Sequence, residues 1–282
     1  MMPATEGTMG TLYLVATPIG NLGDMTPRAI ETLRAVDLIA AEDTRRTRQL
    51  MTYFGIENKV TSYHQFNERA RRASLLAALD AGNVALVTDA GTPAVADPAA
   101  DLVRAALEAG HTVSPVPGPS ALTAAASASG LIDGPFIMLG FLPRAGEDRK
   151  RLIGKAVASR LPIILFEAPG RLRGTLEDVR AVAGNRPAVV CRELTKFHEE
   201  VVAGSIAELI ERFAAEVRGE IVIVIGGDAG TVDGSEDAEA IVRSLLAAGM
   251  KPSVAAREAA AMTGLPRSDL YTIAERMRKL TD

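Results

Sequence analysis

Leu12-Tyr13-Leu14-Val15-Ala16-Thr17-Pro18-Ile19-Gly20-Asn21 is the stretch whose reading decides the fold. It runs without a charge and breaks at Pro-Ile-Gly-Asn, which reads as a buried strand emptying into a loop. A short helix follows from Pro27 to Ala35, with Thr26 as its cap and proline at its first position. Leu38 to Ala41 is a second buried strand, and Asp43-Thr44 opens a helix that runs to about Tyr53 and stops at Gly55. Order is expected to begin at Thr11, with the first ten residues disordered.

The alternation continues along the chain. Helices are predicted at 68–81, from Asp97-Pro98 to Gly110, and from Pro119 to about Ser129, with strands at 84–88 and 112–116 between them. A second series has strands at 136–141, 163–166, 188–191, 199–202 and 221–225, with helices at 147–159, 170–183 and 205–215. Strands alternating with helices of this length predict βαβ units and largely parallel sheets. The fold class is therefore α/β, with a first domain over 11–130 and a second over 131–228, divided near Gly130 to Pro135. Past Gly226-Gly227 the chain turns polar, and residues 238–282 carry only helical patterns, broken near Gly249 and Gly264. That predicts a small helical appendage.

Composition narrows the chemistry. With 282 residues, 48% of them hydrophobic, the chain can build two packed cores. No apolar run approaches the ~18 residues of a membrane span, and the start has no secretory pattern. One cysteine, Cys191, excludes an internal disulfide and a cysteine-based zinc site, and three scattered histidines give no HExxH; no metal is expected. A net charge of −4 excludes tight nucleic-acid binding by overall charge, leaving local basic faces. These features predict a cytoplasmic protein.

In open parallel α/β sheets ligands bind at the carboxyl ends of strands. Three glycine-bearing loops fall there: 17–24, 88–93 and 116–121. None contains GxGxxG or GxxxxGK[ST], which disfavours a dinucleotide dehydrogenase or a P-loop nucleotidase and leaves open an adenosine-type ligand held by backbone groups.

The segments PIGNLGD (18–24), AEDTRRTRQLM (41–51), HQFNER (64–69), DAGTPAVADP (89–98) and VPGPSA (116–121) recur in one known family. So do GFLPR (140–144), FEAPGR (166–171), RELTKFHEE (192–200) and GEIVIVI (219–225). In this order they resemble the ribosomal RNA small subunit methyltransferase I family, 16S rRNA cytidine 2′-O-methyltransferases of the tetrapyrrole-methylase-like group. The helical tail resembles that family's C-terminal unit more weakly. The resemblance implies two α/β domains with a cofactor cleft between them, a homodimer, and S-adenosyl-L-methionine as cofactor. Carried over by motif, the cofactor pocket would use Pro18, Asp89, Ala90, Gly91, Val95, Ser120, Ala121, Phe141, Leu194, Glu220 and Ile221. The substrate it implies is 16S rRNA in the small ribosomal subunit.

Transfer from a sulfonium to a hydroxyl is largely a problem of proximity, helped by a base or carboxylate dipole. Candidates for that role are Glu42, Asp43 and Lys196. Each has a plainer reading: Asp43 as a helix cap, Glu42 paired with an arginine, Lys196 as a solvated cation. Candidate RNA contacts are Arg45, Arg46, His64, Asn67, Arg144, Lys150, Arg151 and Arg171, against the alternative of a solvated charged face. His111 and His198 read as structural or solvated, and the two closing helices as a packing unit of helix-turn-helix size. Two rivals stay open: a tetrapyrrole methyltransferase of the same fold, and a non-catalytic RNA-binding module.

Overall fold

The computed structural model describes residues 9–64, 67–95, 99–215, 217–228, 235–247, 250–263 and 265–279. The first series of elements is β1 (Thr11–Val15), α1 (Pro27–Ala35), β2 (Leu38–Ala41), α2 (Thr44–Tyr53), β3 (Val60–Ser62), α3 (Glu68–Ala81), β4 (Val84–Val87), α4 (Ala100–Glu108), β5 (Thr112–Val116) and α5 (Ala121–Ser129). The second is β6 (Ile137–Phe141), α6 (Glu147–Ala158), β7 (Ile163–Glu167), α7 (Leu172–Ala183), β8 (Pro187–Arg192), β9 (Glu200–Ser205), α8 (Ile206–Arg212) and β10 (Ile221–Ile225). Three helices close the chain: α9 (Ser235–Ala247), α10 (Pro252–Thr263) and α11 (Arg267–Lys279).

The first sheet has the order β3-β2-β4-β1-β5, and every neighbouring pair is parallel. Its central strand β4 is buried along its whole length, as a strand covered on both faces must be. The predicted caps form: the Thr26 side chain accepts from the Ala29 N–H, and Asp43 accepts from the Arg45 N–H. The predicted helix start at Asp97-Pro98 lies outside the described residues, as do residues 1–8 and Gly249 and Gly264 of the two tail breaks. Pro119 precedes α5 by two residues, with Ser120 at the cap position.

The second sheet has the order β6-β7-β10-β8-β9 and departs from the expectation of largely parallel pairing. Only β6 and β7 pair in parallel, while β7–β10, β10–β8 and β8–β9 are antiparallel. The reason lies between Arg192 and Glu200, where no helix intervenes. Parallel neighbours need a crossover of about a dozen residues or more, so this short link turns the chain back as a hairpin. The helix-linked pairs β7/β8 and β9/β10 still run in common directions, but β10 inserts between β7 and β8 against both. All five residues of β10 are buried.

α5 packs on the second sheet, with Ala121, Leu122, Ala125 and Ala126 against Ile164, Val189, Cys191, Val222 and Val224. The change of sheet therefore precedes α5 rather than falling at Gly130 to Pro135. By packing, both sheets form one compact unit, and α9, α10 and α11 with residues 158–161 form another. The helical unit has its own core of Ala238, Val242, Ala256, Ala259, Leu270 and Ala274. Among the described residues no helix is long and apolar enough to cross a membrane.

Candidate functional site

The loops at the carboxyl ends of β1, β4 and β5 are tied together before any ligand is considered. Thr17 and Gly91 exchange backbone hydrogen bonds at 3.0 and 2.9 Å. The Thr17 hydroxyl donates to the Thr88 carbonyl at 3.2 Å, and the Thr92 hydroxyl to the Pro119 carbonyl at 3.2 Å. Gly91 has φ of +82°, a left-handed turn that glycine adopts without strain, and a Cβ there would stand 3.4 Å from Ile19. The start of α2 joins the same frame, because the Asp43 N–H donates to Asp89 Oδ1 at 3.0 Å and the Asp89 N–H to Glu42 Oε2 at 3.3 Å.

Facing this frame is the second sheet, and the two enclose a cavity of about 380 Å³. Ten of the eleven residues assigned to the cofactor line it: Asp89, Ala90, Gly91, Val95, Ser120, Ala121, Phe141, Leu194, Glu220 and Ile221. Pro18 does not. It lines, with Thr17, a neighbouring groove of about 360 Å³. The walls add Ile19 and Thr88 from the glycine-bearing loops, and Phe166, Glu167, Cys191 and Val222 from the second sheet, none of which the sequence reading assigned to the cofactor. Phe166, Glu167 and Cys191 sit at or near the carboxyl ends of β7 and β8, so the rule of strand ends applied to the second half of the chain would have found them.

The far wall stands on a strained turn. Glu193 and Thr195 have φ of +52° and +68°, a region that residues with a side chain rarely occupy. Lys196 Nζ lies 2.8 Å from Glu193 Oε1 and 3.1 Å from Glu220 Oε2, and the Glu220 N–H donates to Glu193 Oε1 at 2.9 Å. Partial burial opposes the Lys196 charge, but the hydrogen bonds and charges of Glu193 and Glu220 outweigh it and raise the ammonium pKa above its usual value. Lys196 therefore stays a cation, supports the Glu220 segment and does not line the cavity.

The other candidate bases separate in the same way. Hydrogen bonds from the Arg45 guanidinium and N–H hold the Asp43 carboxyl far below the usual carboxylate range. Asp43 is a helix cap outside the cavity. Glu42 does line the cavity. Burial pushes the Cys191 thiol up to about 11, with Glu199 adding to the shift, so the thiol is not a poised nucleophile.

Beside the cavity, Glu167 has a fully buried carboxylate. It accepts from the Thr175 hydroxyl at 2.5 Å and the Ala168 N–H at 2.8 Å, and pairs with Arg171 Nε at 3.1 Å. Arg149 lies 3.8 Å from Glu167 and bonds Thr175, Asp178 and the Pro143 carbonyl.

The proposed RNA contacts divide. Arg171 is spent inside its lobe, on Glu167 and the carbonyls of Leu142 and Pro143. His64 and Asn67 lock one turn: Asn67 accepts the His64 N–H, donates to Ser62 and meets the His64 ring at 3.2 Å. Their side chains tie the end of β3 to the start of α3. Arg45 pairs with Asp43, Arg46 with Asp89, Lys150 with Glu147 and Arg151 with Asp148, all on the surface. Arg144 is exposed. His111 is buried with Nε2 3.4 Å from Asp80, as a structural histidine, while His198 is exposed against Phe197.

Residues 11–210 match the family model of tetrapyrrole (corrin/porphyrin) methylases, and residues 232–278 match that of the RsmI C-terminal HTH domain. A relative from Synechocystis sp., named ribosomal RNA small subunit methyltransferase I, is 47% identical over 94% of this chain and 97% of its own. One of the same name from Bacillus subtilis is 40% identical over 94% of each chain. Another, from Thermotoga maritima, is 44% identical over 78% of this chain and 99% of its own. Among solved structures, a cobalt precorrin-4 methyltransferase of cobalamin biosynthesis superposes with a TM-score of 0.60 at 18% identity, over 80% of this chain and 98% of that one. A uroporphyrin-III C-methyltransferase from Thermus thermophilus, crystallised with S-adenosyl homocysteine, gives 0.55 at 19% identity, over 77% and 97%. The chain belongs to the tetrapyrrole (corrin/porphyrin) methylases and, within them, to the ribosomal RNA small subunit methyltransferase I family.

Proposed function

We propose that this protein is an S-adenosyl-L-methionine-dependent methyltransferase that modifies the ribose 2′-hydroxyl of a cytidine in 16S ribosomal RNA of the small subunit. The observation that carries the reading is the convergence of ten motif residues, from distant parts of the chain, on one cavity. Its lining suits that cofactor. Apolar walls from Ile19, Val95, Phe141, Phe166, Leu194 and Ile221 fit an adenosine, and Glu42, Asp89 and Glu220 fit an amino group and a cationic sulfur. The names of the relatives and the crystallised neighbour support the same assignment.

Bound there, the cofactor supplies a methyl already activated by its sulfonium. What remains for the chain is to hold the ribose oxygen in line and to receive its proton. Glu42 takes that part, because it faces the cavity while Asp43 is held to Arg45 and Lys196 stays protonated. Asp89, Ala90 and Gly91 position the cofactor through main-chain groups of a loop fixed at both ends. The protein works in the cytoplasm as a homodimer. Arg45, Arg46, Arg144, Lys150 and Arg151 supply the surface charge that meets RNA phosphates.

The test uses labelled S-adenosylmethionine and small ribosomal subunits from cells lacking this gene. Digestion to nucleosides is expected to place the label on 2′-O-methylcytidine. Label on a base would overturn the ribose assignment. Unlabelled RNA, or label only on a supplied tetrapyrrole, would overturn the RNA substrate.

A further inference from the structure

The groove of about 360 Å³ beside the cofactor cavity is a built surface of its own. One stripe of α2, at Arg46, Gln49, Leu50 and Tyr53, forms a wall at the i, i+3, i+4, i+7 spacing of a single helix face. Pro18 and Leu22 from the loop after β1 also line it. Thr88 and Asp89 are common to this groove and to the cavity, so the two sites share a partition.

The chemistry of the groove is that of single-stranded nucleic acid recognition. Tyr53 is 66% exposed, and its ring stands nearly perpendicular to that of Phe54, with 4.9 Å between centroids. An exposed aromatic of that size on the helix face beside a catalytic cavity is a platform on which an unstacked base can lie. Arg46 Nη1 pairs with Asp89 Oδ2 at 3.3 Å, and 64% of its side chain is open to solvent. The pair fixes the guanidinium at the partition while leaving donors for a phosphate. Gln49 is exposed between the two and carries both a donor and an acceptor for a base edge. The Asp89 carboxylate would repel RNA, but Arg46 and the Asp43 N–H occupy it.

We propose that this groove is an RNA subsite holding one nucleotide adjacent to the methylated one, with its base on Tyr53 and its phosphate at Arg46. Seating a neighbour there leaves the next ribose at the shared partition, over the cavity mouth. The inference rests on the rRNA reading above and adds the subsite that orients the strand.

The experiment compares wild type, Tyr53→Ala and Tyr53→Trp on unmodified small subunits. It measures steady-state methyl transfer, cofactor affinity by calorimetry, thermal melting and mass by light scattering. Tyr53→Ala is expected to raise KM for the subunit about 10-fold or more, since stacking on one side chain carries that order of affinity. Cofactor affinity, melting and mass are expected to stay at wild-type values, and Tyr53→Trp to restore KM. An unchanged KM in Tyr53→Ala with an active wild type would overturn the subsite alone. A change in mass would overturn it as well, by assigning Tyr53 to contact between copies of the chain. A wild type that leaves the subunit unlabelled would overturn the rRNA reading and the subsite with it.

Discussion

The backbone N–H of Asp43 donates to Asp89 Oδ1 at 3.0 Å, which pins the start of α2 to the loop after β4. The other oxygen of the same carboxylate holds Arg46. Asp89→Ala removes both ties and a cavity wall. A hydrogen bond to a charged group contributes about 1.5–3 kcal/mol, so cofactor affinity by calorimetry is expected to fall about 10-fold or more. Asp89→Asn keeps an acceptor for the Asp43 N–H and is expected to lose less. Equal affinities for wild type and Asp89→Ala would remove Asp89 from the site.

The Glu193–Lys196–Glu220 cluster predicts how stability depends on pH. Hydrogen bonds from Lys196 and the Glu220 N–H lower the Glu193 pKa, so its contribution is present above the usual glutamate range and is lost as pH falls through the lowered value. The raised Lys196 pKa contributes below the usual lysine range, and that part is lost as pH rises through the raised value. Urea midpoints of wild type and Glu193→Gln are expected to differ steadily between about pH 5 and 10. The gap, about 0.5–1 kcal/mol for partly solvated pairs, is expected to close on either side. A gap that persists at pH 2 would count against it.

Gly20 is required for a different reason. A Cβ there would stand 2.4 Å from Lys196 Cγ and 2.9 Å from Thr195 Oγ1. Lys196 has little room to yield, since two carboxylates hold its far end. Gly20→Ala is expected to introduce about 1–3 kcal/mol of overpacking strain and to push the Glu193–Lys196 turn, with Leu194, away from the cavity. Cofactor titration is expected to show weaker binding at a modest loss of melting temperature. Wild-type binding would mean that the turn moves freely.

Glu167 is a fully buried carboxylate with two arginine partners and the Thr175 hydroxyl. Glu167→Leu leaves the mostly buried Arg149 short of a counter-charge and leaves Arg171 to the carbonyls of Leu142 and Pro143. Breaking a buried pair from one side costs about 3–5 kcal/mol, which chemical denaturation can read directly. A loss below 1 kcal/mol would show that Asp178 alone satisfies Arg149.

Much of this was legible in the residues. The strands Leu38–Ala41 and Ile221–Ile225, and the caps Thr26 and Asp43, stand where the apolar runs and capping residues put them. These are local signals, and the first sheet follows from them because each of its connections carries a helix. The second sheet does not follow so simply. The insertion of β10 between β7 and β8 depends on which edges remain open after the hairpin forms, and no local pattern encodes that. At the site, loop composition located Asp89 to Gly91 and Ser120 to Ala121. The roles of Arg171, His64 and Asn67 were not legible, because a polar side chain turned inward reads like one turned outward until its partners are known.

The placement of α5 bears on how this chain could be cut or recombined. Residues 121–129 come from the first half of the sequence, yet Ala121, Leu122, Ala125 and Ala126 cover the apolar face of strands from the second. A fragment ending at Gly130 would carry that sticky stripe with nothing beneath it, while its complement would expose Ile164, Val189 and Val224. Chimaeras between family members should therefore exchange material ahead of Ser120, where the joined piece brings its own roof.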